Sequence, residues 1–360
     1  MMLIKVRVIK KIIIFILFFS FESEAAQNVI LPFFKSGQQS GYHLKDRQDY
    51  KGKVYLISSS SQYDEKIIPE IEAAFSLRGY VTDTKYLDQD PTLLGYVNTD
   101  ENRISTLIKA LSDKNVKYLW FVRGGSGALN LYPALHANRA RILASTPKVI
   151  IGFSDVTAIH NFVNHELNWP SVHGVLASYS MEMHEIDKKK TLNMNSSLNE
   201  IFQTLSHGIT YTGIKPMNRQ AIKIVSGKLD GGNLTLVQSL FSTSYESSYS
   251  DKIMMLEDTG VTAKQLDRTL HQIEYSRTFR PRAVIFGQFY SLNAGEEEKS
   301  LYRYVIQQFA DRVNYPVYYY PKFGHGKTNQ PFIMAHQVKI LCNSKYRLCS
   351  LTQPPVVPEK

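Results

Sequence analysis

The segment KVIIGFSDVTAIHNFVNHEL, residues 148–167, restricts the possible fold more than any other part of this chain. It begins with a β-branched run at 149–151, which is typical of a strand buried on both faces. Apolar residues then recur at helical spacing, at Val156, Ile159, Val163 and Leu167. The period changes at 152–155, so the segment predicts a strand, a tight turn and a helix. Strands buried on both faces occur in parallel sheets covered by helices, which favours an α/β fold.

The predicted turn carries one serine, Ser154, followed by Asp155. Ligands of parallel α/β folds bind at the carboxyl edge of the sheet, and the free N–H groups of a helix start favour negative charge. Ser154 therefore has the position of a nucleophile elbow, although the usual G-x-S-x-G pattern is only half present. Ser and Asp are also good helix caps, so the segment alone fits both a nucleophile and a cap.

Strands and helices alternate along the rest of the chain, and its 360 residues are enough for two domains. The first half has predicted strands at 53–57, 80–86 and 116–122 and helices at 65–77 and 100–113. The second half has predicted strands at 253–256, 283–287 and 317–320, helices at 264–275 and 301–310, and a helix within 229–242 that Gly231-Gly232-Asn233 opens. A polar stretch at 181–218 is assigned as the connection between an N-terminal domain at 51–180 and a C-terminal domain at 219–352.

Residues 1–25 have the pattern of a secretory signal peptide. Four basic residues precede an apolar run at 12–21, and small residues follow at Ser23 and Ala25. The run is too short to span a bilayer comfortably, so we expect cleavage and a periplasmic or secreted protein without stable membrane insertion; an uncleaved anchor is the alternative. Removing these residues, which carry four basic and two acidic side chains, changes the formal charge from +10 to +8. That charge suits an anionic cell-wall or membrane environment, and no basic-aromatic motif for nucleic acid is present.

The two cysteines, Cys342 and Cys349, lie in a predicted hairpin with its turn near Lys345-Tyr346. In that register they face each other across the strands, and an oxidising compartment would permit a disulfide. Two buried free thiols are the other interpretation.

A glycine-rich sequence, Arg123-Gly124-Gly125-Ser126-Gly127, follows the predicted strand at 116–122. Closely spaced glycines let the backbone approach a ligand and direct its N–H groups into a pocket. A dinucleotide loop is not supported, because the G-x-G-x-x-G spacing is missing, whereas a simple strand-to-helix turn fits equally well.

Several motifs in one fixed order make a family resemblance specific. They are LLGYVNTDENRISTLIKALSD, FVRGGSGALNLYPAL, KVIIGFSDVTAIH, GKLDGGNLTLVQSLFST, IMMLEDTG with QLDRTLHQI, AVIFGQF and FGHGKTN. The set resembles the LD-carboxypeptidase family of serine peptidases, which also contains the microcin C7 self-immunity hydrolases, over about residues 50–342. The resemblance implies an N-terminal parallel-sheet, Rossmann-like α/β domain that supplies a serine and a C-terminal β-rich α/β domain that supplies a glutamate and a histidine.

The family motifs map the catalytic residues onto Ser154, Glu257 and His325, with the backbone N–H groups of Asp155 and Gly125 as oxyanion donors. In such a triad the histidine takes the serine proton, and the carboxylate holds the imidazole in the useful tautomer. Each oxyanion donor is worth roughly 3 kcal/mol. Without the family motifs, Glu257 or His325 alone would be assigned a structural role.

The pattern differs from the family at Ser126, where an aromatic residue is frequent; this difference concerns the substrate pocket and not the triad.

Other polar residues have less specific interpretations. Arg123 is the candidate ligand for a terminal carboxylate, with a structural ion pair as the alternative. Arg268 is assigned a structural role, either in holding the domains together or in pairing with an Asp. His160 and His165 are five residues apart, so they do not form a zinc motif, and we place them on the helix surface or partly buried. His173 could line the pocket or serve packing.

The resemblance thus implies hydrolysis of the bond between an L-diamino acid and terminal D-alanine in peptidoglycan tetrapeptides. A self-immunity-type hydrolase of peptidyl or aminoacyl nucleotides and a binding protein without turnover are the alternatives. We further expect peptidoglycan peptides as partners, a homodimer, and neither a metal nor a cofactor.

Overall fold

The protein's structure, a computed structural model, describes residues 51–178, 194–343 and 348–356. The predicted signal peptide at 1–25 and the turn of the cysteine hairpin at Lys345-Tyr346 lie outside these residues. Among the residues described, no helix combines the length and the apolar character needed to cross a bilayer.

The N-terminal half forms a parallel sheet covered by helices. Its strands are β1 (Gly52–Ile57), β2 (Tyr80–Tyr86), β3 (Tyr118–Phe121), β4 (Val149–Gly152) and β5 (Ser171–His173). Its helices are α1 (Ile68–Ser76), α2 (Asp100–Ser112), α3 (Tyr132–Ala137), α4 (Arg139–Leu143) and α5 (Thr157–Glu166). All residues of β3 are buried, as expected for a strand with helices on both faces. The predicted helix at 65–77 is α1 preceded by a 3-10 turn, Glu65–Ile67.

The C-terminal half forms a closed seven-stranded barrel. The remaining strands of the chain are β6 (Ile209–Pro216), β7 (Val225–Asn233), β8 (Lys252–Glu257), β9 (Ala283–Phe286), β10 (Val317–Tyr319), β11 (Phe332–Met334), β12 (Gln337–Asn343) and β13 (Leu348–Gln353). The order around the barrel is β10-β6-β13-β12-β7-β8-β9, and β9 pairs with β10 to close it. Strands β7 to β10 are parallel to their sequence neighbours in the barrel, and the other pairs are antiparallel.

Four further helices are α6 (Met194–His207), α7 (Leu234–Ser239), α8 (Ala263–Tyr275) and α9 (Glu296–Arg312). Barrel strands alternate between two cores, because successive side chains of a strand point to opposite faces. Ile253 and Met255 of β8 belong to the core inside the barrel. Met254 and Leu256 belong to a second core, which also contains Leu270 of α8. The predicted fold class, a parallel-sheet domain followed by a β-rich α/β domain, is confirmed.

The strand β11 connects the two halves. It pairs antiparallel with β5 at the edge of the N-terminal sheet, so that Phe332 faces His173 and Met334 faces Ser171. The full order of that sheet is β11-β5-β4-β3-β1-β2. The chain therefore returns from the barrel to the first domain before it completes the barrel with β12 and β13.

Two sequence-based assignments differ from the structure. The prediction that Gly231-Gly232-Asn233 opens a helix is wrong for the glycines, because both lie in β7 and the helix begins at Leu234. A side chain at Gly231 would place its Cβ 2.1 Å from the carbonyl oxygen of Met255, so glycine lets β7 lie close to β8. The stretch 181–218, assigned as a connection, contains α6 and the barrel strand β6.

Cys342 and Cys349 are joined by a disulfide. They lie directly opposite each other in the antiparallel pair of β12 and β13. This bond fixes the register of the last barrel hairpin, and Cys349 packs in the core inside the barrel.

We expect the double variant Cys342→Ser/Cys349→Ser to lower the free energy of unfolding by about 2 kcal/mol, because the bond closes a short loop of the unfolded chain. Urea unfolding of the variant and of the oxidised wild type measures this difference. Wild type unfolded in the presence of dithiothreitol serves as the control and should match the variant. Equal stability of the variant and the oxidised wild type would contradict the prediction.

Candidate active site

The turn after β4 has the backbone of a nucleophile elbow. Ser154 follows the strand by two residues and has φ of 64°. This left-handed conformation is uncommon for residues other than glycine and is typical of the strained turn that exposes a nucleophilic serine. A 3-10 turn, Ser154–Val156, then leads into α5, whose N-cap position is Val156 without a side-chain cap. Capping of α5 is therefore not the role of Ser154 or Asp155.

The glycine-rich loop lies directly against the elbow. A side chain at Gly124 would place its Cβ 3.0 Å from the Cβ of Ser154, which is closer than ordinary packing allows. Gly125 has φ of 108°, and its missing side chain would collide with the hydroxyl of Ser61. The loop is held in place by hydrogen bonds from the Ser61 N–H to the Gly124 carbonyl (3.1 Å) and from the Ser126 N–H to the Ser61 hydroxyl (3.1 Å).

Asp155 ties this loop to the elbow through its side chain. Its Oδ2 accepts a hydrogen bond of 2.9 Å from the backbone N–H of Ala128, the first residue after the loop. Burial raises the pKa of Asp155, while the neighbouring Ser60 hydroxyl, the hydrogen bond from Ala128 and the positive charge of Arg103 act in the opposite direction. Asp155 thus connects the turn after β4 to the glycine-rich loop. These are the two backbone segments from which oxyanion donors are expected.

Arg103 of α2 is a buried cation that the sequence analysis missed. Its guanidinium donates to the carbonyl of Ser59 (2.5 Å), pairs with Asp100 and stacks on the ring of Tyr96 at 4.7 Å. The available signal was its spacing, because Arg103 precedes Leu107 by one helical turn on the apolar face of α2. A side chain at Gly127 would place its Cβ 2.8 Å from Nη1 of Arg103, so the glycine-rich loop lies close to this guanidinium.

The C-terminal half contributes a buried carboxylate–imidazole pair. Glu257 ends β8, and His325 lies in the loop after β10. The Nδ1 of His325 is 2.7 Å from the Oε2 of Glu257, whose side chain is fully buried; His325 is 8% exposed. Gly324 permits this approach, since a Cβ there would lie 2.7 Å from Oε2.

The two groups shift each other's pKa in opposite directions. Burial alone would raise the pKa of Glu257, but the charge and hydrogen bond of His325, together with the neighbouring His173, lower it to about 2. Burial alone would lower the pKa of His325, but the negative charge of Glu257 raises it above its usual 6.5. The pair therefore favours an ionised carboxylate next to an imidazole that accepts a proton readily.

The two halves of the site meet at Phe153. This residue precedes Ser154, and its ring centroid lies 4.7 Å from that of His325. A second contact joins α5 to the barrel, where the backbone N–H of Asn233 donates to the hydroxyl of Thr157 at 2.9 Å. Residues far apart in sequence, from both domains, thus converge at the carboxyl edge of the N-terminal sheet.

The other residues singled out from the sequence have varied surroundings. Arg123 is half-buried beside the loop and donates to the carbonyl of Gln62 (2.7 Å), and Arg268 is exposed on α8. The Nε2 of His165, which is mostly buried, lies 2.7 Å from Asp230 of β7 and so links α5 to the barrel. His173 is fully buried, with its Nε2 at 3.6 Å from the Oε1 of Glu257.

The placement of His160 on the helix surface or in a partly buried position is wrong, because the residue is almost completely buried. Its ring nitrogens lie 2.8 Å from the hydroxyl of Ser171 and 2.8 Å from the carbonyl of Gly152. Burial lowers its pKa to about 3, so the imidazole is neutral. His160 thereby fixes the end of β4 immediately before the elbow. Across the described residues, no cluster of three His, Cys, Asp or Glu side chains has the geometry of a metal site.

Comparison with known proteins assigns both halves of the chain to one family. The family model for the LD-carboxypeptidase N-terminal domain matches residues 54–174, and that for the LD-carboxypeptidase C-terminal domain matches residues 226–340. The chain belongs to the LD-carboxypeptidase family. The resemblance found in the sequence is thereby confirmed, and with it the general class of carboxypeptidase hydrolase.

One relative and two solved structures illustrate what the chain is similar to. The murein tetrapeptide carboxypeptidase of Pseudomonas aeruginosa is 28% identical over 238 residues, which are 64% of this chain and 75% of that protein. The crystal structure of a muramoyltetrapeptide carboxypeptidase from Oxalobacter formigenes has a TM-score of 0.69 at 19% identity, covering 86% of this chain and 100% of that one. An MccF-like protein from Bacillus anthracis has a TM-score of 0.68 at 18% identity, covering 85% of this chain and 97% of that one. The two structures show a shared fold.

Proposed function

We propose that this protein is a serine-type LD-carboxypeptidase that releases terminal D-alanine from peptidoglycan tetrapeptides, with Ser154, His325 and Glu257 as its triad. The observation that supports this best is the buried 2.7 Å contact between Glu257 and His325, placed against the residue that precedes the strained Ser154. The murein tetrapeptide named for the Pseudomonas aeruginosa relative supports the substrate class.

In the proposed reaction, the Oγ of Ser154 attacks the carbonyl carbon of the L-diamino acid, and the Nε2 of His325 takes the hydroxyl proton. Glu257 accepts the Nδ1–H bond, which leaves Nε2 free to act as the base and stabilises the imidazolium. The backbone N–H groups of Asp155 and Gly125 stabilise the oxyanion. His325 then returns the proton to the nitrogen of the leaving D-alanine. Water hydrolyses the acyl-enzyme by the same steps in reverse order.

Recognition of the free carboxylate of the substrate is assigned to Arg123. Its guanidinium lies beside the glycine-rich loop, and its hydrogen bond to the Gln62 carbonyl fixes the side chain there. A guanidinium can hold a carboxylate with two parallel hydrogen bonds, which suits an enzyme that acts at a chain terminus. With this assignment, the carboxylate of the bound substrate lies on the side of Ser154 that faces the glycine-rich loop.

The direct test is incubation of the purified chain with a muropeptide tetrapeptide that ends in D-alanine. We expect stoichiometric release of D-alanine, measured by mass spectrometry of both products. The same peptide ending in L-alanine should be cleaved far more slowly. Absence of release from the D-alanine peptide, with cleavage of a peptidyl sulfamoyl nucleotide instead, would replace this proposal with the self-immunity type of hydrolase.

Activity should rise as the pH increases through the raised pKa of His325, because the base must be neutral. The acid limb of kcat/KM is therefore expected above pH 6.5. Stability has the opposite sign: a raised folded-state pKa stabilises the fold below the unfolded pKa of His, and this contribution is lost as the pH rises through the folded value. The contribution of Glu257 is present above its unfolded pKa of about 4.3 and is lost as the pH falls towards its folded value.

Measurements of kcat/KM from about pH 5 to 9, and of urea unfolding from about pH 3 to 9, test these two contributions. An acid limb below the ordinary pKa of histidine would contradict the predicted ion pair.

We also propose that the enzyme acts outside the cytoplasm. The signal pattern at 1–25 and the disulfide between Cys342 and Cys349 both point to an oxidising compartment. Fractionation of cells that express the full chain tests this location. The homodimer stays a prediction, which light scattering on the purified protein can decide.

A further inference from the structure

His173 is a buried histidine without a conventional role. It ends β5, is fully buried, and lies between the rings of Phe153 (5.9 Å) and Phe323 (6.5 Å). Neither of its ring nitrogens has a hydrogen-bond partner among the residues that the structure describes. Burying an imidazole without hydrogen-bond partners costs free energy, and buried polar groups are normally paired. The position of His173 therefore calls for an explanation.

The nearest polar group to this imidazole is the catalytic carboxylate of the proposed triad. The Nε2 of His173 lies 3.6 Å from the Oε1 of Glu257, and that oxygen also lacks a hydrogen-bond partner within the described part of the chain. The second oxygen, Oε2, lies 2.7 Å from Nδ1 of His325. Glu257 therefore faces one histidine from each domain. Active-site hydrogen bonds are often long in the free enzyme and shorten when the substrate is bound.

We propose that His173 is a positioning residue that acts through Glu257. As the neutral tautomer with its proton on Nε2, it donates to Oε1 and so holds the carboxylate with Oε2 directed at Nδ1 of His325. The inference rests on the proposed function, since it assigns to His173 the orientation of the triad carboxylate. Through this hydrogen bond, a residue of the N-terminal sheet orients a carboxylate that the barrel supplies.

The proposed role requires the neutral form of His173. The titratable groups around it are Glu257, His325, Asp258 beside Glu257, and His160 of α5, whose ring centroid is 6.4 Å away. His160 is neutral because burial lowers its pKa. A second cation beside Glu257 would weaken the negative charge that the His325 imidazolium needs during catalysis. A neutral N–H donor orients the carboxylate and leaves its charge intact.

Two variants separate orientation from packing. His173→Leu removes the donor at similar volume, and His173→Gln keeps an N–H near the position of Nε2. We expect His173→Leu to lower kcat about 10- to 100-fold, by analogy with the loss of outer hydrogen-bond partners of metal ligands, with KM changed less than about twofold. His173→Gln should restore kcat to within about threefold of wild type. Equal kcat for wild type and both variants, or equal losses in both variants, would assign His173 to packing.

The ring titrations provide a test that does not depend on turnover. In nitrogen-15 NMR spectra, the wild-type His173 should be neutral with its proton on Nε2. A carboxylate without this donor is more basic, so His173→Leu should move the pKa of His325 upwards, and His173→Gln should reverse the shift. A proton on Nδ1 of His173, or an identical His325 titration in all three proteins, overturns the inference, and the wild-type spectrum decides even if His173→Leu does not fold. If these shifts occur but D-alanine is not released, the positioning role stands and the proposed function fails.

Discussion

Replacing Ser154 with alanine is expected to reduce kcat for D-alanine release by at least about 10⁴-fold, because the variant has no hydroxyl to form the acyl-enzyme. Backbone oxyanion donors and substrate binding remain, so a small residual rate is expected. The fold should be unaffected, since alanine has the same Cβ as serine at the φ of 64° that this turn requires. Release of D-alanine under single-turnover and steady-state conditions measures the loss.

The matched control is Ser239→Ala, which removes an exposed hydroxyl of α7 that donates within its own helix, to the carbonyl of Thr235. It should retain wild-type kcat and KM. Labelling with a fluorophosphonate, followed by peptide mapping, should locate the probe on Ser154 in wild type and nowhere in Ser154→Ala. A Ser154→Ala enzyme with more than about a tenth of the wild-type kcat would exclude Ser154 as the nucleophile.

The elbow could be predicted from the sequence because its signal is local. The change from a β-branched run to helical spacing occurs within residues 149–167, and both elements form there, at Val149–Gly152 and Thr157–Glu166. Whether Asp155 caps the helix could not be predicted in the same way. It depends on where the side chain of Asp155 binds, and that partner, Ala128, is 27 residues away.

The pairing of Glu257 with His325 has no local signal. The residues are 68 positions apart, and their contact depends on a closed barrel whose strand order does not follow the sequence. Only the order of family motifs identified them. The same limit explains why β11 was not assigned to the N-terminal sheet, since strand pairing over such separations is set by tertiary packing.

Glycine pairs occur in two different structural contexts in this chain. Gly124 and Gly125 form a loop, as predicted, because the backbone must pass close to Ser154 and Ser61. Gly231 and Gly232 were predicted to open a helix but lie inside a strand, where close packing excludes side chains. In both pairs, glycine allows the backbone to lie very close to a neighbouring group. The sequence alone does not show which group that is.

Glu257→Gln should lower kcat by about 10³- to 10⁴-fold with little change in KM, as expected when a triad carboxylate is replaced by an amide. The amide keeps the shape, but its NH₂ group can donate to Nδ1 of His325 and so stabilise the tautomer with its proton on Nε2, which is not a base there. The charge that stabilises the imidazolium is also lost. The pKa of His325 should therefore fall, and the acid limb of the remaining activity should move to lower pH.

The control for this variant is Glu296→Gln, which neutralises an exposed carboxylate in the first turn of α9 that pairs with Lys299 at 2.9 Å. It should leave kcat, KM and the pH profile unchanged. Urea unfolding of both variants separates a lost fold from lost chemistry, since Glu257 is buried and Glu296 is not. A Glu257→Gln enzyme that keeps the wild-type acid limb while losing kcat would show that the carboxylate does not act on His325, and the triad would then need a different third member.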